Sequence, residues 1–300
     1  AGASFTGAAI AECQLEHADL TRADLRDAKL SACSLLGARL DEANLRGAAL
    51  SECDTDGVSL RGADLRDAAI GAEALRGRPL AGAQLEGADL SGADLHHTDL
   101  AGAKLARALL RGADLSHADL SGADLTEADL REVVADDCRL DEASLAGANC
   151  RGMHLRAAGL TDVVLAGADL RDAVITEADL TGVDLLGVQL EGARINDSDL
   201  EHAKAAGVSF VGCDLTDACF DEADLSGASF SQAVLTQASF EGARLGGAKL
   251  AGASAKRSAW VDAVLDEADL RGGDFEDADF DGASLRKARG ERANFQAASF

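Results

Sequence analysis

The chain has 300 residues and a formal net charge of −25, and it contains no Tyr and only one Trp. A conventional globular core of this length would use more aromatic side chains, so the composition predicts a repeat architecture. The acidic excess excludes direct nucleic-acid binding through a basic surface, because phosphate contacts need Lys and Arg. The longest apolar runs are too short to span a bilayer, so we expect no membrane association.

A five-residue repeat runs without a slip from Phe5 to Phe300. In blocks of five, the fifth position is Leu, Ile or Phe in 53 of 60 blocks, and the third position is Ala in 42. The fourth position is Asp or Asn in 23 blocks. Most of the seven Cys residues stand in the third position, which predicts small buried side chains in a reducing compartment instead of a disulfide framework.

Neither regular helix nor continuous strand can bury this repeat. In an α-helix, five residues advance by about 500°, so successive Leu side chains would spread over every side. In one continuous strand, an odd period would send successive Leu side chains to opposite faces. A short extended piece followed by a corner in every block points positions three and five inward and position four outward.

Blocks such as residues 88–92 (Ala-Asp-Leu-Ser-Gly) and 123–127 (Ala-Asp-Leu-Thr-Glu) resemble the A(D/N)LXX signature of pentapeptide-repeat proteins. The resemblance covers the whole chain and implies an all-β fold, a right-handed quadrilateral parallel β-helix. We therefore expect about 15 coils of 20 residues. They would form a single domain over residues 1–300, which could be a segment of a longer protein. The square coil is implied by the resemblance, because the period alone leaves a three-sided coil open.

Unusual residues recur at multiples of twenty, as stacked coils require. Cys13, Cys33 and Cys53 share one column in the Ala position. An aromatic column predicts that the lone Trp is an inward rung beside the small residues Ala255 and Ser258. That column consists of Phe220, Phe240, Trp260, Phe280 and Phe300.

The clearest irregularity of the repeat lies between Gly71 and Leu80. Glu73 and Arg78 occupy inward Ala positions, and Pro79 follows, which cannot donate a ladder hydrogen bond. One interpretation is a local bulge in which the two charged side chains turn to solvent or form a pair. The other is a kink or protruding loop that contacts a partner.

The sequence offers little chemistry. His97 and His117 lie twenty residues apart and should stack outside the coil, but ladder repetition produces such pairs by default. Acidic residues on a convex surface lack the cleft that a general acid–base pair needs. We therefore predict no catalytic residue, no metal site and no cofactor, and hence no enzyme.

Charge patterning is the best functional indication. A zone of one coil's length predicts an acidic interaction face, although the same charges could simply solvate the surface. Basic residues flank this zone, and a second acidic zone runs from Asp89 to Asp129. The predicted face consists of Asp262, Asp266, Glu267, Asp269, Asp274, Glu276, Asp277, Asp279 and Asp281.

Two functional hypotheses follow. The first is a non-catalytic protein-interaction scaffold, part of a larger bacterial, secretion-associated protein. The second comes from the resemblance, since some family members mimic DNA, bind DNA gyrase or topoisomerase IV, and confer quinolone or toxin resistance. The partner would then be a basic DNA-binding groove.

Neither end shows a cap, so an end-to-end homodimer or additional domains are expected there. The composition favours a bacterial cytoplasmic protein, with secretion without a signal peptide as the alternative.

Overall fold

The computed structural model describes residues 2–70 and 75–300. The chain divides into two compact units, Ala1–Ala148 and Asn149–Phe300, and in each unit parallel β-bridges join residues twenty apart. The described residues contain no α-helix. The predicted all-β solenoid is therefore confirmed within each unit, with four five-residue blocks in every coil.

The first unit contains the one sheet of regular strands that the described residues form. Its four short strands pair in parallel and in sequence order. Ile10 pairs with Leu30, and Leu30 pairs with Leu50, so the same position of the repeat stacks in successive coils. The strands are β1 (Ala9–Ala11), β2 (Lys29–Ser31), β3 (Ala49–Ser51) and β4 (Ala69–Ile70).

Elsewhere the coils are joined by single bridges, and the block around Phe240 shows how its backbone N–H groups are satisfied. The Phe240 N–H donates to the Ala259 carbonyl at 2.8 Å, and the Ser239 N–H to the Ala218 carbonyl at 2.9 Å. The Ala243 N–H closes the corner by donating to the Phe240 carbonyl at 3.1 Å. Each coil forms backbone hydrogen bonds with the coils on both sides. The buried N–H and C=O groups are therefore satisfied without an α-helix or long strands.

The third and fifth positions of the blocks form the core of each unit. Their Ala and Leu side chains are almost fully buried, and Phe210, Phe230 and Trp260 are 0% exposed. Burying each Leu side chain stabilises the fold by about 1.5–3 kcal/mol. The third position is filled mainly by Ala, Cys and Val, and the larger Met153 is buried there as well.

The aromatic column of the second unit is confirmed. The Phe240 and Trp260 rings stack with centroids 4.1 Å apart, and Trp260 stacks on Phe280 at 5.8 Å. The Trp260 Nε1–H donates to Ser258 Oγ at 2.6 Å, and that hydroxyl donates to the Ala255 carbonyl. Ser258 thus satisfies a buried indole N–H, and Ala255 leaves the volume that the larger ring occupies.

Each corner turns through a left-handed residue. Every described residue at the second position of a block has a positive φ, between 50° and 78°. Gly adopts this conformation freely, whereas side chains such as Ala157 and Arg257 are held in it by the coil. The frequent Gly at this position in the sequence therefore reflects backbone conformation.

Gly246 and Gly247 give a matched test of whether the second position of a block needs a left-handed backbone conformation. Gly247 has φ +68°, and no heavy atom lies within 4 Å of the place that an alanine methyl would occupy. Gly247→Ala should therefore lower the unfolding free energy by about 1–2 kcal/mol through conformation alone. Gly246 does not have a positive φ, and Gly246→Ala should be neutral or slightly stabilising. Thermal and denaturant unfolding of both variants measures the difference. Equal stability of the two would contradict the left-handed corner.

Candidate interaction surface

The Asp and Asn side chains at the fourth position cap the corners. Asp124 Oδ1 accepts the N–H of Thr126 at 3.1 Å, and Asn44 Oδ1 accepts that of Arg46 at 3.2 Å. Outside the strands β1–β4, the N–H of a block's first residue has no backbone acceptor among the described residues, so this side chain completes the pairing of the corner. The same contact is made by Asp89, Asp94, Asp99, Asp114, Asp119 and Asp129 of the second acidic zone.

Several of these carboxylates are also neutralised within the same corner. Asp64 forms a bidentate pair with Arg66, which lies two residues later, and the guanidinium lowers the pKa of that carboxyl. Asp169 pairs with Arg171 in the same way, with the same direction of pKa shift. The fourth-position acids therefore serve the fold first, and their number alone does not identify a binding face.

The predicted acidic face from Asp262 to Asp281 does not lie on one side of the coil. Consecutive blocks lie on consecutive sides, because four blocks complete each turn of twenty residues. Asp269, Asp274 and Asp279 pair with Lys249, Ser254 and Ala259 in three separate stacks. The nine acids therefore form a band around the coil, and sequence proximity did not mean a shared face.

Basic neighbours neutralise much of this band. Lys256 Nζ contacts Asp274 at 3.1 Å and Glu276 at 2.7 Å, so a single ammonium serves two carboxylates. The Lys287 ammonium lies 2.9 Å from Glu267. Arg271 pairs with Asp269, and Arg257 lies 3.9 Å from Asp277. The predicted interface at these residues stays a prediction.

A more strongly charged surface lies elsewhere in the second unit. Residues 178–243 contain twelve Asp and Glu residues against Arg194 and Lys204. In this wholly described stretch the carboxylates form no ion pair with Arg or Lys, and Glu201 contacts only His202, at 3.2 Å. Hydroxyl and amide partners, such as Thr181 for Asp179, orient the carboxylates without cancelling their charge.

Ten of these twelve acids lie on two adjacent sides of the coil. One side stacks the blocks 176–180, 196–200 and 216–220, and the next stacks the blocks 181–185, 201–205, 221–225 and 241–245. We call the resulting surface the acidic face. It consists of Asp179, Asp184, Asp197, Asp199, Glu201, Asp217, Asp221, Glu222, Asp224 and Glu241.

The sequence signal for the acidic face is the scarcity of cations, read in the twenty-residue register. The band at 262–281 is denser in acids along the chain, but cations flank it one coil away on both sides. Between 178 and 243 the cations are Arg194 and Lys204, and neither of them, nor Arg244 in the last block of the acidic face, forms an ion pair with a carboxylate of this stretch.

The irregularity near residue 75 is only partly described, and Glu73 lies outside the described residues. The Arg78 side chain is 15% exposed and contacts Asp56 at 2.7 Å, and the choice between a local bulge and a protruding loop stays a prediction. Pro79 keeps its bridge to Asp99. Thr98 Oγ1, in an Ala position, accepts the Gly77 N–H at 3.0 Å and donates to the Leu75 carbonyl, so it stabilises this stretch.

The histidine stack is confirmed. The rings of His97 and His117 are 4.9 Å apart and nearly parallel, and His96 lies 4.0 Å from His97. Desolvation and the neighbouring imidazoles lower the pKa of His97. In the part of the chain that the structure describes, three or more His, Cys, Asp or Glu side chains nowhere form a group that could hold a metal ion. None of the described residues forms a helix with the length and hydropathy of a membrane span.

The family profile of pentapeptide repeats matches this chain in eight copies. The chain belongs to the pentapeptide-repeat family. A search of curated proteins found no match. The eight copies lie at residues 1–37, 38–70, 75–105, 93–131, 158–197, 193–232, 228–259 and 274–300.

Solved pentapeptide-repeat structures are similar to this chain. HetL, a protein involved in heterocyst differentiation regulation from the cyanobacterium Nostoc sp. strain PCC 7120, is 26% identical, with 89% of each chain covered and a TM-score of 0.21. Rfr23 from the cyanobacterium Cyanothece 51142 is 21% identical over 37% of this chain and 63% of its own, with a TM-score of 0.20. QnrB1, a plasmid-mediated fluoroquinolone resistance protein, is 17% identical over 87% of this chain and 92% of its own, with a TM-score of 0.17.

The capping role of the fourth position can be separated from its charge at Asp199. Its Oδ1 accepts the Glu201 N–H at 2.9 Å. Asp199→Asn keeps the oxygen acceptor and should leave stability nearly unchanged, whereas Asp199→Ala should cost about 1 kcal/mol of unfolding free energy. Both variants remove the same charge. If thermal unfolding shows them equally stable, the capping account of the Asp/Asn preference is wrong.

Proposed function

We propose that this pentapeptide-repeat protein is a non-catalytic scaffold whose acidic face binds a protein partner with a basic surface. The observation that carries the proposal is the acidic face itself, ten carboxylates on two adjacent sides without an Arg or Lys ion pair. Charge of one sign on one side raises the rate of encounter with an oppositely charged partner and orients it. A rigid coil holds those charges in place without a cost of ordering on binding.

The side-chain chemistry supports a binding role over catalysis. Burial raises the pKa of the thiols of Cys138, Cys150 and Cys213 to about 12, which keeps them protonated and poorly nucleophilic. One described groove of the second unit contains Glu276 and Asp277, and both are paired with cations. These groups therefore lack the free, perturbed carboxyl that general acid–base catalysis uses.

DNA mimicry is the second candidate, and the density of charge favours it. Twelve acids and two cations give residues 178–243 a net charge of −10. At a strand spacing of about 4.8 Å, this stretch occupies roughly 16 Å of stacked coils. That is about one negative charge per 1.6 Å, close to about one per 1.7 Å in B-form DNA. The partner would then be a basic groove of the kind found in DNA gyrase or topoisomerase IV.

Three features of the architecture belong to the same proposal. We propose the right-handed sense, the total of about 15 coils and the single domain over 1–300 from the pentapeptide-repeat resemblance. A role within a larger, secretion-associated bacterial protein is proposed on the same footing.

Two triple variants with the same change in charge test the acidic face. One carries Asp179→Asn, Asp199→Asn and Asp217→Asn, and the other carries Asp274→Asn, Asp277→Asn and Asp279→Asn in the band. Binding of an oligo-arginine peptide is measured by titration calorimetry at several salt concentrations. With about 0.5 kcal/mol for each lost charge pair, the first variant should bind roughly 10-fold more weakly, and the second should change by less.

Equal weakening in both variants would show that only net charge matters, which would contradict the acidic face. A DNA gyrase supercoiling assay with the same three proteins separates the two candidates. Inhibition by the parent and by the band variant, but not by the acidic-face variant, supports DNA mimicry. Dependence of peptide binding on the acidic face without an effect on gyrase supports a scaffold for another basic partner.

A further inference from the structure

Three cysteines of the first unit share one inward position in successive coils. The Ser34 N–H donates to the Cys13 carbonyl at 2.9 Å, and the Asp54 N–H to the Cys33 carbonyl at 2.9 Å, so the three backbones are directly bonded. All three are free thiols. We call Cys13, Cys33 and Cys53 the cysteine ladder; the other four cysteines have no Cys twenty residues away.

The three thiols point the same way. Each donates to the carbonyl two residues earlier: Cys13 to Ala11 at 3.3 Å, Cys33 to Ser31 at 3.4 Å and Cys53 to Ser51 at 3.5 Å. The Cys33 side chain also contributes to the raised pKa of the Cys53 thiol, behind burial as the main cause. The sulfurs therefore have the same orientation in three adjacent coils.

The coil spacing suits one bridging ion between two sulfurs. Neighbouring parallel strands lie about 4.8 Å apart. A metal–thiolate bond is about 2.3 Å long, so a sulfur–metal–sulfur line spans about 4.6 Å. A disulfide needs its sulfurs about 2.05 Å apart, so two thiols would have to leave the parallel orientation in which each donates to the carbonyl two residues earlier.

We propose that the cysteine ladder binds a soft, two-coordinate cation of the Cu(I) class between Cys33 and a neighbouring rung. Soft thiolate ligands select Cu(I), whereas Mg²⁺ and Ca²⁺ require several oxygen ligands. Cys33 is 1% exposed, and Cys13 and Cys53 are half-buried, so the central rung is shielded from water. The site is independent of the acidic face, which lies in the other unit.

The uptake step is an exchange of protons for the cation. Two thiols lose two protons and bind one Cu(I), which leaves a complex of charge −1 and changes no oxidation state. Since thiolates are the ligands, the apparent affinity should rise with pH, by about 100-fold per pH unit while both thiols are protonated.

The test is an anaerobic titration of the full chain with Cu(I) in competition with bathocuproine disulfonate. Cys33→Ala removes the central rung, and Cys213→Ala is the matched control, since Cys213 has the same place in its coil but stacks on Ala residues. Ala is the commonest residue at this position, so both variants should fold, which circular dichroism and thermal unfolding check. We expect the parent to bind about one Cu(I) and Cys33→Ala to bind at least ~100-fold more weakly. Cys213→Ala should match the parent.

X-ray absorption at the copper edge should show two sulfur neighbours and no nitrogen or oxygen. Three results would overturn the proposal: no competitive binding by the parent, equal binding by Cys33→Ala, or an equal loss in Cys213→Ala. Isolation of the metal-free parent with Cys33 in a disulfide would overturn it as well, because the ladder would then favour bond formation over a bridging ion.

Discussion

The backbone hydrogen bonds between residues nineteen to twenty-one apart are the constraint on which the rest of each unit depends. Within each unit they hold the described blocks in register with the blocks twenty residues earlier and later. Once that register is set, residues twenty apart stack on one another. A residue type that recurs every twenty residues therefore forms a column along the coil. Core, corner and surface are then separate columns with separate chemical requirements.

Each position of the five-residue block therefore has its own structural role. Leu at the fifth position and Ala at the third form the core. Stacked rings such as Phe240 and Trp260 can replace Leu where neighbouring positions hold smaller side chains. Asp at the fourth position completes the corner by accepting an N–H. An Asp that completes a corner keeps its charge unless an Arg or Lys pairs with it, and in the second unit carboxylates without such a pair are concentrated on the acidic face.

The five-residue period predicted the solenoid and its inward positions, and the twenty-residue coil implied by the pentapeptide-repeat resemblance predicted the aromatic column. The period did not predict the capping role of Asp, since periodicity reports where a side chain points and not what its oxygens accept. The acidic interface at 262–281 is predicted from the density of acids along the chain and stays a prediction, whereas its pairing with Lys256 and Lys287 depends on neighbours one coil away. Reading the charges in twenty-residue columns would have found the acidic face between 178 and 243.

The register itself is tested most directly by pyrene labels on a background whose native cysteines are replaced by Ala or Leu. Gln237 and Arg257 are exposed corner residues twenty apart, and Arg257 and Glu267 are exposed corner residues ten apart. Labels at Gln237→Cys and Arg257→Cys should stack on adjacent coils and give strong excimer fluorescence. Labels at Arg257→Cys and Glu267→Cys, on opposite sides of the coil, should give monomer emission only. Excimer emission from the second pair, or its absence from the first, would contradict the twenty-residue coil.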